Sequence, residues 1–76
     1  MENTYEVYVI RYWRWDAEAG EYIPELEAFG SDVDHAKTVY DKTVISADIP
    51  KVELCRDTVL KNSTCIVETE ILRFKE

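Results

Sequence analysis

Few side chains in this sequence could do covalent or acid–base chemistry. Its 76 residues include one histidine, His35, and two cysteines, Cys55 and Cys65, beside sixteen carboxylates. A thiol or hydroxyl nucleophile would need His35 as its base, and no nucleophile elbow surrounds any Ser or Cys. Two carboxyl groups divide into acid and base only where a desolvated cleft separates their pKa values, and so short a chain has little room for one. Asp32 and Asp34 have the spacing of two oxygen ligands, but the glycine and distal glutamate of a calcium loop are missing. Zinc sites use four Cys or His ligands, whereas this chain holds three, ten or more residues apart. No Gly-rich phosphate loop is present. The expectation is no catalytic residue, no metal and no cofactor.

The carboxylates suggest another kind of chemistry. Sixteen acids against nine bases give a net charge of −7, which disfavours direct binding to nucleic acid through phosphate neutralisation. The excess is localised. From Trp15 to Asp34 the chain holds Asp16, Glu18, Glu21, Glu25, Glu27, Asp32 and Asp34 and no Lys or Arg; the rest holds nine of each sign. Glu25 and Glu27, two strand residues apart, would project about 6.6–6.8 Å from one another, close to the phosphate spacing along one nucleic-acid strand. Such a segment either keeps an edge strand soluble and caps a helix, or docks on a basic surface of another protein.

Positioning these residues requires a small domain spanning 1–76, with 46% apolar residues for its core. Tyr5–Trp15 reads as a strand, Asp16–Gly20 as a hairpin loop and Glu21–Phe29 as a second strand, which Pro24 restricts to an edge or a bulge. After Gly30, Ser31 is placed to cap a helix over Asp32–Ile45, with Asp34 as the capping-box acid. Val33, Ala36, Tyr40, Thr43 and Val44 form its buried face and His35, Thr38 and Lys42 the opposite one. Lys51–Asp57 alternates as a half-buried strand, Val52 and Leu54 inward and Glu53, Cys55 and Asp57 outward. Lys61-Asn62-Ser63 turns the chain into a fourth strand, Thr64–Phe74. In that strand Cys65, Val67 and Ile71 share one face, and Ile66, Leu72 and Phe74 the other. The fold class is α+β: a ββαββ chain forming a four-stranded antiparallel sheet with one helix packed on one face. A second hairpin centred on Leu60 would set Cys55 opposite Cys65 for a cross-strand disulfide, whereas keeping Val52 and Leu54 on the face of Val67 and Ile71 offsets them; with no export signal, two reduced thiols are expected.

One helix leaves the second sheet face bare, although both sides of the first strand are apolar or aromatic. Tyr8, Tyr12, Trp13 and Trp15 are therefore candidates for a partner or homodimer surface. The apolar runs are too short for a membrane span, and Met1–Thr4 shows no export signal, so a cytoplasmic setting is expected. With Trp13-Arg14-Trp15 and the Asp16–Asp34 acidic segment, the chain resembles the small acidic orphan proteins of phages and mobile elements, of the anti-CRISPR or anti-defence inhibitor type. That resemblance implies an inhibitor that imitates nucleic acid and docks on a protein partner with a basic surface. The alternative is an assembly module that self-associates through its aromatic sheet face.

Overall fold

A run of thirteen residues without Gly or Pro, rich in Tyr, Val, Ile and Trp, forms the longest strand, β1 (Thr4–Asp16). The computed structural model describes residues 3–63 and 65–76. At the end of β1 the Asp16 carboxylate accepts from the backbone N–H groups of Glu18 and Ala19, and Gly20 takes φ 68°, closing the hairpin. β2 (Glu21–Ala28) returns antiparallel to β1, and Gly30 at φ 61° turns the chain towards α1 (Val33–Lys42). Beyond α1 an irregular segment leads past Pro50 into β3 (Val52–Leu60), which is followed by β4 (Ile66–Lys75). The antiparallel ββαββ architecture matches the expectation.

The sheet order is β2-β1-β3-β4. The length of β1 makes this possible: Thr4–Tyr12 pairs with β3, while Val9–Asp16 pairs with β2. Pro24 stands on an edge strand, where its missing N–H costs no ladder bond inside the sheet. β1 and β3 are central, and α1 packs across them. Ile10, Val52 and Leu54 from the sheet meet Ala36 and Tyr40 from the helix, with Tyr8, Tyr12, Val39 and Leu72 packed around them. β4 fastens the end of the helix: Lys75 Nζ donates to the Tyr40 carbonyl at 2.7 Å and lies 4.4 Å from the Tyr40 ring centroid.

Several local expectations are corrected. Asp32, not Ser31, is the N-cap: its carboxylate accepts from the His35 N–H at 3.0 Å. The helix ends at Lys42 because Thr43 is extended, so Val44 leaves the buried face and is 75% exposed. β3 is not half-buried. Being central, it has a strand on either edge, and Glu53, Cys55 and Asp57 are buried along with Val52 and Leu54 although no helix lies over their face. The β3–β4 pairing slips twice, between Leu54 and Cys55 and between Thr58 and Val59. Those bulges put Ile66 opposite Val59, Ile71 opposite Cys55 and Phe74 opposite Glu53, on the face away from the helix, while Leu72 turns into the core. Val52 and Leu54 therefore do not share a face with Ile71. Cys55 is buried, Cys65 is exposed and both are free thiols. Thr64, expected to begin the last strand, lies outside the described residues.

Tyr40 is 6% exposed in the only helix among the described residues, so Tyr40→Ala should lower unfolding free energy by about 3–5 kcal/mol. Val44→Ala, at an exposed position just beyond the helix, should change it by less than about 0.5 kcal/mol. Urea denaturation of both variants measures the contrast.

Candidate functional site

Strand alternation sorts the expected site residues onto two different faces. Tyr8 and Tyr12 point towards the helix and pack on the core, whereas Trp13 and Trp15 belong to the opposite, open face. The four aromatics therefore do not form one surface. Trp15 packs edge-to-face on Tyr22, its neighbour across the β1–β2 pair, with ring centroids 5.0 Å apart.

On the helix side, β2 carries Glu21, Glu25 and Glu27, opposite Asp16, Tyr12 and Ile10 of β1. Glu25 does not act as a free charge. One of its carboxylate oxygens accepts from Arg14 Nε and an Arg14 terminal nitrogen at 2.9 and 2.6 Å, and the other accepts from the Tyr12 hydroxyl at 2.8 Å. The Arg14 hydrogen bonds, then that of Tyr12, hold the Glu25 carboxyl below the usual carboxylate range. The same bond from Tyr12 to Glu25, reinforced by burial, raises the Tyr12 phenol. The expected pairing of Glu25 with Glu27 as phosphate-spaced charges is thus reduced to Glu27 alone. Glu18, Glu21, Glu27, Asp32 and Asp34 are exposed, and none forms an ion pair among the described residues. Because α1 lies over β1 and β3, a groove of about 260 Å³ remains between the helix and β2. Glu25 and Glu27 line it on one side, Val39 and Thr43 on the other.

Sequence reasoning missed what occupies the centre of the open face. Arg11 stands opposite Glu53 in register, yet its guanidinium forks onto Asp57 at 3.1 and 2.6 Å. The side chain therefore crosses the Val9–Cys55 pair, and both residues are buried on a face that no helix covers. Asp57 also accepts from the Thr69 hydroxyl at 2.9 Å. Burial raises the Cys55 thiol pKa, and Arg11 offsets part of that shift. A signal was available in β1, where Arg11 interrupts the otherwise apolar set of Tyr5, Val7, Val9, Trp13 and Trp15, and a charge at such a position survives burial by pairing with an opposite one. Around this fork lie exposed apolar side chains, Leu26 on β2 and Ile66, Ile71 and Phe74 on β4. A shallow depression of about 200 Å³ runs beside Arg11, Trp13, Pro24 and Leu26.

His35 is exposed and stacks edge-on against Phe29 at 5.0 Å. Among the described residues, no group of three or more His, Cys, Asp or Glu is placed to hold a metal ion. None of the described helices is long and apolar enough to cross a membrane.

Two measurements probe these clusters. Arg11→Met leaves Asp57 buried with Thr69 alone and should destabilise by about 3–5 kcal/mol, whereas Arg11→Met with Asp57→Leu should recover most of that loss. Urea denaturation of the double-mutant cycle reads it. Because the Glu25 pKa is depressed in the folded state, its ion pair stabilises above the unfolded carboxyl pKa and is lost as pH falls through the folded value. The stability gap between wild type and Glu25→Gln, followed by thermal denaturation against pH, should accordingly narrow on acidification through the carboxylate range and close below it.

No protein-family model, no curated protein and no solved structure matches this chain.

Proposed function

We infer that the protein is a non-enzymatic, cytoplasmic interaction protein whose acidic edge docks on the basic surface of a larger partner. One observation carries this reading. All four arginines are committed to internal ion pairs: Arg11 with Asp57, Arg14 with Glu25, Arg56 with Glu6 and Glu70, and Arg73 with Asp41. The carboxylates of Glu18, Glu21, Glu27, Asp32 and Asp34, by contrast, are exposed and free of ion pairs within the described residues. Within the acidic segment the fold thus pairs Glu25 and leaves unpaired charge along the hairpin loop, β2 and the start of α1; outside it, Asp48 and Glu68 are likewise exposed and in no ion pair among the described residues. A surface of one sign raises the association rate with an oppositely charged partner and repels nucleic acid itself.

Asp32 has a structural duty as the helix cap, and Glu25 is held by Arg14 and Tyr12, so Glu18, Glu21, Glu27 and Asp34 are the principal docking charges. A partner that normally binds nucleic acid presents the complementary basic groove, and an inhibitor of such a partner is the role that fits this edge. The resemblance to acidic anti-defence inhibitors supports the same direction.

Glu21→Lys combined with Glu27→Lys should slow association by about tenfold or more at low salt and flatten its salt dependence. Folding stability should stay within about 0.5 kcal/mol per substitution, because both positions are exposed on an edge strand. The measurement is association rate against ionic strength, with the partner recovered by cross-linking and co-purification. Equal rates and equal salt slopes for wild type and the double variant would refute the docking role.

A further inference from the structure

We propose that the open sheet face is the interface of a homodimer, in which two copies stack this face against itself. The molecule is one sheet and one helix thick, with Cα extents of 45 × 26 × 15 Å. Its accessible surface of 5241 Å² exceeds the roughly 4,800 Å² expected of a folded monomer of 8.9 kDa. Four apolar side chains on the uncovered face, Leu26, Ile66, Ile71 and Phe74, are each more than half exposed. They stand on the two edge strands and flank the buried fork of Arg11 on Asp57.

Charge selects the occupant. A chain of net charge −7 repels its own copy over most of its surface. On the open face the balance is different. Arg11 bridges to Asp57, and Lys51 lies 3.6 Å from Glu53 and over the Trp13 ring, giving two positive and two negative charges. Glu21, Glu25 and Glu27 of β2 project to the other side of the sheet, alternating with Tyr22, Pro24 and Leu26. A strongly basic partner finds its complement there, whereas the neutral apolar face suits an identical one. For the central pair, covering this face also adds little desolvation cost, since Arg11 and Asp57 are already only 24% and 3% exposed.

Area and geometry agree. The broad side of the molecule, 45 × 26 Å in Cα extent, is large enough for the roughly 800 Å² that each partner gives to a stable interface. Sheets stacked about 10 Å apart with strands inclined by about 30° form a sandwich, and a two-fold axis makes the contact self-complementary. Association edge to edge is opposed by Pro24 on β2 and by the two bulges in the β3–β4 pairing.

The test is sedimentation of the full chain from micromolar to millimolar concentration, at low and molar salt. A dimer should form, and it should tighten with salt as repulsion between the two acidic chains is screened. Ile71→Glu and Leu26→Glu, on opposite edges of the face, should each raise the dimer dissociation constant by about tenfold or more, with circular dichroism unchanged. A protein that stays monomeric at the highest concentration, a dimer that dissociates on adding salt, or one that survives both substitutions would overturn the proposal. Docking through the acidic edge uses the other side of β2, so its salt-dependent kinetics can fail or hold independently of this result.

Discussion

One ten-residue helix can shield only one face of a four-stranded sheet, and the rest of the structure accommodates that shortage. On the covered side the solution is familiar: Ala36 allows the helix close to the sheet, and Tyr40 fills the space over Val52 and Leu54. On the other side there is no second layer. A single long side chain, Arg11, lies over the middle of the sheet and anchors on Asp57 and, through it, Thr69. The methylene stem replaces some of the apolar cover a helix would supply, and the guanidinium finds its charge partner without leaving the surface.

That device protects the centre but not the margins. The two edge strands extend past the reach of Arg11, leaving Leu26 on one side and Ile66, Ile71 and Phe74 on the other in solvent. Bulges in the β3–β4 pairing create half of this arrangement by rotating Ile71 and Phe74 onto the open face and Leu72 under the helix. The same slips interrupt the ladder and discourage edge pairing.

The acidic character of the chain is distributed with equal consequence. Ion pairs consume the carboxylates that lie beside arginines, notably Glu25, Glu70 and Asp57. What remains unpaired within the acidic segment lines the hairpin loop, the helix-facing side of β2 and the entry to α1. Two surfaces of opposite character, one acidic and one neutral and apolar, thus lie on either side of β2, separated by the alternation of a single strand.

Local chemistry in the sequence determined the element order, the hairpin at Gly20, the restriction of Pro24 to an edge, the buried phase of Ala36 and Tyr40, and the concentration of acids between Asp16 and Asp34. Each depends on backbone preference or periodicity over a few neighbouring residues, which the chain carries wherever it folds. Tertiary structure alone decided that β1 and β3 are central, that β3 is buried on both faces, and that Tyr8 and Tyr12 part company with Trp13 and Trp15 across the sheet. It also decided that Arg14 folds back to neutralise Glu25, although the acidic segment itself contains no base, and that Arg11 finds Asp57 46 residues away. Strand order, register slips and the partner of a charge depend on contacts between distant segments, and no local pattern records which of the sterically allowed pairings leaves the least apolar surface and the fewest unpaired charges.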